Sequence, residues 1–284
     1  LDLLMDADPT KRPIRKTRYC LVYKNQYFEI DLYPFWDDKA IVEIELNDEN
    51  QDIELPKQIF GHPWLLTNND KIGKSRGNAI YADDLVEKYG VDAVRYYVLH
   101  EIPFANDGNL TYDLLEERYN SDLANILGNL VNRTISMNKK YFDNVVVNSD
   151  ASEDIDNSLL EVVLGAKDKV RKCMDELKVA DAIDEVFEIF KRCNKYIDET
   201  TPWILAKEEN KDRLKKVIYN LLESIRIGAV LLHSFLPQTS EEIFRQLNTE
   251  ETSYESIDSF GKLKLDSVLN DPIYSGQVRI IPKE

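Results

Sequence analysis

Alternating hydrophobic and polar positions fill the first part of the chain. Three runs with a period of two, rich in β-branched and aromatic residues, predict strands at residues 19–23, 27–33 and 40–46. The polar run Lys24-Asn25-Gln26 between the first two runs predicts a hairpin turn. In the third run Glu43 and Glu45 share one face, so that face is either exposed to solvent or lines a polar cavity.

The period changes along the rest of the chain. Between residues 56 and 110 short runs are mixed, with helices predicted at 82–89 and from 91 to about 100. From 111 to 247 apolar residues recur every three or four positions and predict an antiparallel bundle of four long helices and a short fifth, followed by a tail with a strand at 278–281. The sequence therefore predicts an α+β protein in three parts, divided as 1–55, 56–110 and 111–284.

Composition narrows the classes of function. The charge is 36 − 52 = −16, which argues against indiscriminate phosphate binding but allows a local RNA site. Three cysteines without a C-x-x-C pair predict neither a disulfide framework nor a four-cysteine zinc site, and they fit a reduced, cytoplasmic setting. No apolar stretch reaches about 18 residues, so no membrane span is expected. The chain begins with Leu, which suggests a fragment.

A basic, glycine-containing run at residues 71–78 is the first candidate for chemistry. Lys71, Lys74 and Arg76 fall within six residues, among Gly73, Ser75 and other small or polar side chains. Flexible cations of this kind can close over a triphosphate and neutralise charge as pyrophosphate leaves. The alternative is a solvated basic turn. The G-x-x-x-x-G-K-[ST] pattern of a Walker loop is absent.

Two elements of the helical part are candidates for RNA contact. On the helix predicted at 122–139, Asn129 and Arg133 are four residues apart and share one face. Amide edges and a guanidinium suit unstacked bases and phosphate, although a solvated face is the alternative. Trp203 follows Pro202 at a predicted helix junction, where it would either stack a flipped base or plug the end of the bundle.

The basic run resembles the KMSKS signature of class I aminoacyl-tRNA synthetases, in its methionyl-tRNA synthetase setting. Further motifs in the same order carry the resemblance from about Leu55 to Glu284: residues 55–62, 92–99, 107–109 and 120–125. The resemblance implies that residues 56–110 end a Rossmann-type catalytic domain. It also implies that Lys74 binds ATP and stabilises the transition state of methionyl-adenylate formation, supported by Lys71 and Ser75. Ile72 and Gly73 depart from the usual Met and Ser.

The same resemblance assigns roles in the helical part, which it identifies as an anticodon-binding domain. Residues 128–133 match the site where an Asn and an Arg contact the anticodon, here Asn129 and Arg133, and Trp203 supplies an aromatic ring to the first anticodon base. The implied activity is ligation of methionine to its tRNA with ATP and Mg²⁺. No HIGH signature is present, so we expect no methionine activation by this chain alone. The alternative is a non-catalytic tRNA-binding module or a non-functional chimera.

The first 55 residues resemble, more weakly, part of a CYTH-type triphosphate-tunnel domain. Charged residues at alternate strand positions carry this likeness, in the runs 16–18, 29–31 and 43–45. The opening Glu-x-Glu-x-Lys strand of that family is missing. An ordinary edge sheet with a wet face is the alternative.

Overall fold

The protein is represented by a computed structural model that describes residues 15–36, 39–46, 48, 52–53, 64–73, 77–102 and 107–271. The strand predicted at 278–281 lies outside these residues. The described residues combine helices with small sheets, which confirms the predicted α+β class. The chain divides into two compact units, residues 1–61 and 62–284. The boundaries at 55 and 110 stay predictions.

The first unit contains a three-stranded antiparallel sheet. Its strands β1 (Thr17–Tyr23), β2 (Gln26–Leu32) and β3 (Ala40–Ile44) pair in chain order. Lys24 and Asn25 between β1 and β2 both have positive φ, 46° and 61°, as the tightest hairpins require. The turn predicted from the polar run is therefore confirmed.

A cluster of charged side chains covers one part of this sheet. The Arg18 guanidinium donates to Asp31 at 2.7 Å and to Glu43 at 2.8 Å, and it also pairs with Glu29. Lys16 approaches Asp31 at 2.5 Å. The Arg18 and Lys16 cations hydrogen-bond to Asp31 and hold the pKa of this carboxyl well below its usual range. Charged side chains of the three strands thus pair with one another across the sheet.

The second unit begins with a small sheet and two helices. Strands β4 (Leu65–Thr67) and β5 (Asp70–Lys71) form a hairpin, and β6 (Gly108–Leu110) pairs with β4 in parallel. Helices α1 (Ala82–Tyr89) and α2 (Val91–Glu101) lie between β5 and β6 in the chain, within a residue or two of the predicted bounds. Buried Leu85, Val94 and Tyr97 join the two helices in one apolar cluster.

The helical part follows from residue 112. Its elements are α3 (Tyr112–Arg118), a π-helix (Tyr119–Gly128), α4 (Asn129–Phe142), α5 (Asp154–Asp175), α6 (Val179–Thr200), α7 (Pro202–Lys207), α8 (Lys211–Leu232), α9 (Pro237–Leu247) and a 3₁₀ turn (Tyr254–Ile257). Helix α8 is buried along most of its length, because α4, α5, α6 and α9 all pack against it. No helix among the described residues is both long and apolar enough to cross a membrane.

Proline sets two helix boundaries, and the one at Pro202 is the predicted junction. Helix α6 ends at Thr200, Thr201 takes a left-handed φ of 42°, and Pro202 starts α7. Pro237 likewise starts α9 after the end of α8. The structure differs from the prediction of a single helix at 122–139. These residues belong to two elements, the π-helix and α4. The apolar stripe could not predict this division, because it does not record which backbone hydrogen bonds form.

Candidate functional site

Strand β5 places Lys71 at the start of the basic run. The β4–β5 hairpin turns at Asn68 and Asn69, both with positive φ, 51° and 60°. The Asn69 backbone N–H donates to Asn109 Oδ1 at 2.9 Å, and the Trp64 N–H donates to Asp107 Oδ1 at 2.8 Å. The side chains of Asp107 and Asn109 therefore hold the chain just before and just after β4, the strand that leads through the hairpin to the basic run.

Two contacts hold the chain on either side of the basic loop. Lys71 Nζ lies 5.3 Å from the centre of the exposed Trp64 ring, a cation–π contact. Asn78 accepts from the Gly73 N–H at 3.0 Å and donates to the Lys71 carbonyl at 3.2 Å, so its side chain draws together the two ends of the loop. Lys74 and Ser75, predicted as its catalytic residues, lie outside the described residues.

This arrangement suits a polyphosphate. The exposed ammonium of Lys71 supplies positive charge at a loop whose ends Asn78 holds together. Cationic side chains of this kind stabilise the charge of a phosphoryl group during transfer. Among the described residues no group of three or more His, Cys, Asp or Glu side chains is placed to hold a metal ion. Mg²⁺ commonly enters such sites on the phosphates of the substrate.

A second candidate surface lies where the π-helix meets α4. The Asn129 backbone N–H bonds back to Ala124, five residues earlier, and the Asn129 side chain donates to Asn125 Oδ1 at 3.3 Å. Helix α6 contributes Asn194, whose amide donates to the Ile126 carbonyl of the π-helix at 3.0 Å. Widened helical turns of this kind are frequent at functional sites.

One turn further along α4, Arg133 faces the junction of α6 and α7. Its guanidinium carbon lies 5.5 Å from the centre of the Trp203 ring, and its Nη2 lies 3.4 Å from Asp198 Oδ1. Trp203 is 43% exposed and the Arg133 side chain 41%. An aromatic ring and a guanidinium with this much accessible surface can accept a base stack and a phosphate together.

The local sequence explains why Trp203 points outward. Pro202, the first residue of α7, is buried, and the left-handed Thr201 before it turns the chain sharply out of α6. The Thr201 carbonyl accepts from the Ile204 N–H at 2.8 Å, which closes the first turn of α7 around Trp203. We call the surface formed by Asn129, Arg133 and Trp203 the Asn-Arg-Trp face.

The structure thus brings Arg133 and Trp203 into contact and places Asn129 one turn away on the same helix. Sequence reasoning missed Asp198, Asn194 and the clamping role of Asn78. Asn78 ends the basic run at 71–78 and Asp198 lies four residues before Pro202, whereas nothing in the sequence pattern marks Asn194. The roles of the six predicted site residues in binding and catalysis stay predictions.

Two family models match the chain. One described as "tRNA synthetases class I (M)" covers residues 41–135, and one described as "Anticodon-binding domain of tRNA ligase" covers residues 156–270. The first match starts inside the segment 1–55. Neither model describes a triphosphate-tunnel domain, so the resemblance of that segment to a CYTH domain gains no support.

Curated relatives and solved structures agree with these matches. Methionine–tRNA ligase of Clostridium tetani is 50% identical over 213 residues, which are 75% of this chain and 33% of the relative. Methionine–tRNA ligase of Clostridium perfringens is 46% identical over 232 residues, which are 81% of this chain and 35% of the relative. Mycobacterium tuberculosis methionyl-tRNA synthetase in complex with methionyl-adenylate aligns with a TM-score of 0.74 at 33% identity, over 78% of this chain and 44% of that one. The chain spans about a third of the length of the curated relatives it matches.

Proposed function

The chain belongs to the methionyl-tRNA synthetase family. We propose that it carries two sites of an enzyme that joins methionine to its tRNA: the basic loop at residues 71–78, here called the phosphate-facing loop, and the anticodon-binding site. We propose that the whole enzyme uses ATP and Mg²⁺ and that its other substrates are methionine and the tRNA for methionine. The proposed location of the enzyme is the cytoplasm. Three side chains of α2 support a rigid link between the loop region and the bundle. Tyr96 donates to Asp122, Arg95 donates to the Phe235 carbonyl, and Asp92 accepts from the Thr239 N–H.

At the phosphate-facing loop, Lys74 is proposed as the main electrostatic contact to the triphosphate, with Lys71 and Ser75 beside it. Positive charge placed where pyrophosphate leaves stabilises the transition state more than the ground state. In this step the methionine carboxylate would attack the α-phosphorus of ATP, and the bond from that phosphorus to pyrophosphate would break. The contact of Lys71 with Trp64 keeps its ammonium beside the loop without neutralising it, which supports a role in binding the phosphates.

At the Asn-Arg-Trp face, Trp203 is proposed to stack on the first anticodon base. Arg133 would hold the backbone or a base edge, and Asn129 would read a base edge with its amide. The contact between the Arg133 guanidinium and the Trp203 ring is the observation that carries this proposal. It places a cation and a stacking platform side by side on a protein whose charge is −16, so this face should dominate RNA binding.

The test is binding of an RNA hairpin with a CAU loop to the 284-residue chain. Trp203→Ala should weaken binding by about 1–3 kcal/mol, the size of one base stack. The same variant should have little effect on a hairpin with an unrelated loop. Trp36→Ala is the matched control, because Trp36 is exposed to a similar extent, 41%, but lies in the first unit. Equal binding of the CAU hairpin by the parent and Trp203→Ala would refute the proposed site.

A further inference from the structure

A buried network of polar side chains lies beneath the segment that carries Trp203. This segment, residues 201–210, leaves the end of α6, forms α7 and enters α8. Tyr196 stands one turn before its start and Arg213 three residues after its end. Both side chains are buried, with exposures of 0% and 3%, and both reach the same carboxylate, that of Asp156 on α5.

The contacts to Asp156 are short and specific. Tyr196 Oη donates to Asp156 Oδ1 at 2.6 Å. Arg213 forms a two-pronged pair, with Nη2 to Oδ1 and Nη1 to Oδ2 both at 2.7 Å. The Glu153 backbone N–H completes the shell of Oδ2 at 3.0 Å. Bidentate, charge-assisted pairs of this kind fix orientation as well as distance.

Tyr196 and Arg213, the two partners of Asp156, are each also hydrogen-bonded to one end of segment 201–210 or to the residue next to it. On the α6 side, the Tyr196 carbonyl accepts from the Thr200 hydroxyl at 2.6 Å, next to the left-handed Thr201. On the α8 side, the Arg213 N–H donates to the Asn210 side chain at 3.4 Å, which caps α8. Asn220 of α8 also donates to Tyr196 Oη at 3.2 Å. One carboxylate therefore ties both ends of the segment.

We infer that Asp156 is a positioning residue for anticodon recognition, an inference that rests on the proposed function of the Asn-Arg-Trp face. Trp203 is half exposed, and α7 is six residues long, too short to hold itself in place. A stacking platform is effective only when its ring is already oriented, because ordering it on binding costs free energy. Asp156 orients the segment that carries Trp203 through its bonds to Tyr196 and Arg213, and it does not itself contact RNA.

The experiment measures binding of the CAU hairpin by the full chain and its variants. Asp156→Asn keeps the size of the side chain but removes the charge that both partners share. It should lower the affinity by about 5- to 150-fold, the range for loss of one base stack. In a Trp203→Ala background the same substitution should change the affinity by less than about twofold, because its effect passes through Trp203.

Glu223→Gln is the matched control. Glu223 forms a second buried carboxylate–arginine pair, with Arg226 at 2.8 Å, and it holds residues 261–263 instead of the Trp203 segment. It should reduce thermal stability in the same way as Asp156→Asn but leave CAU affinity near that of the parent. Equal losses of affinity in both variants would mean that general destabilisation explains the effect and would overturn the inference.

Tyr196→Phe keeps the test valid should Asp156→Asn fail to melt cooperatively. It removes only the tie on the α6 side and should give a smaller loss of the same kind. In a Trp36→Phe, Trp64→Phe background, Trp203 is the remaining tryptophan, and its emission anisotropy should fall in either variant. If Trp203→Ala leaves CAU binding unchanged, the proposed face is wrong and the inference falls with it. If Trp203→Ala weakens binding but Asp156→Asn and Tyr196→Phe do not, the positioning role alone is wrong.

Discussion

The guanidinium of Arg133 lies 5.5 Å above the ring of Trp203, so α4 and α7 meet at the exposed end of the bundle through one cation and one aromatic side chain. Asp198 approaches the same guanidinium at 3.4 Å and balances part of its charge. At the proposed anticodon site, RNA would therefore have to compete with a carboxylate for Arg133. This competition favours ligands that offer both a base for Trp203 and an anion for Arg133.

Arg133→Gln should weaken binding of the CAU hairpin and make it less sensitive to salt. Loss of one phosphate contact reduces the slope of log affinity against log salt by about 0.7 for single-stranded RNA. Titrations at several salt concentrations measure this slope. Arg133→Lys is the control: it keeps the charge, and so the slope, but loses the planar fork. An unchanged slope in Arg133→Gln would mean that Arg133 does not contact the backbone.

His100 should make the stability of the protein depend on pH. Its ring contacts Glu101 at 2.7 Å and Asp184 of α6 at 3.1 Å and stacks on Tyr96, while Arg118 pairs with the same Glu101. Burial disfavours the imidazolium, but the hydrogen bonds to Asp184 and Glu101 outweigh burial and raise the pKa of His100 to about 9.

Because the folded pKa lies above the unfolded value of about 6.5, the stabilisation is complete below pH 6.5 and is lost as the pH rises through 9. The loss is at most about 3 kcal/mol. Urea unfolding at pH 6 and pH 9.5 measures it. His100→Gln should reduce the difference between the two pH values, and Asp184→Asn should reduce it in part. A pH dependence that is the same in all three proteins would contradict this assignment.

Gly228→Ala should destabilise the bundle, because α8 and α6 approach closely at this point. A Cβ there would lie 2.5 Å from Cε1 of Phe190, a fully buried ring. Overpacking of this kind costs about 1–3 kcal/mol. Gly165→Ala on α5 is the matched control, since its Cβ would meet nothing within 4 Å. It should stabilise the helix by about 0.5–1 kcal/mol. Thermal melts should therefore shift in opposite directions.

Glu223→Gln should loosen the segment after α9. The Glu223 carboxylate accepts from Arg226 at 2.8 and 2.9 Å and from the backbone N–H groups of residues 261–263 at 2.9–3.0 Å. Removing the charge leaves Arg226 buried without its counter-ion, at a cost of about 3–5 kcal/mol. Limited proteolysis should cut earlier near residues 251–263.

The same change in an exposed pair should have almost no effect. Glu188 and Lys191 are also three residues apart, at 2.8 Å, but both are about half exposed. Glu188→Gln should alter stability by less than about 0.5 kcal/mol. A similar loss in the two variants would show that burial does not set the strength of the pair with Arg226.

The sequence predicted elements well where one local signal decides the structure. The polar residues Lys24 and Asn25 and the proline at 202 marked a turn and a helix start that the structure contains. The π-helix was missed because the apolar stripe does not record which backbone hydrogen bonds form, and the contact of Asn194 from another helix with the Ile126 carbonyl is likewise invisible in the sequence. Motifs predicted Arg133 and Trp203 as site residues, but they did not mark Asp156, since its contacts depend on three helix ends meeting in space.

The π-helix before Asn129 has a consequence for insertions and deletions. A π-helix places one more residue between donor and acceptor than an α-helix does, so loss of one residue within 119–128 can be absorbed by a return to α-helical bonding. Loss of one residue between Asn129 and Arg133 would instead turn Arg133 by about 100° about the axis of α4, away from Trp203. Among homologous sequences, changes of length should therefore be tolerated more readily within 119–128 than from Asn129 to Arg133, which an alignment can count.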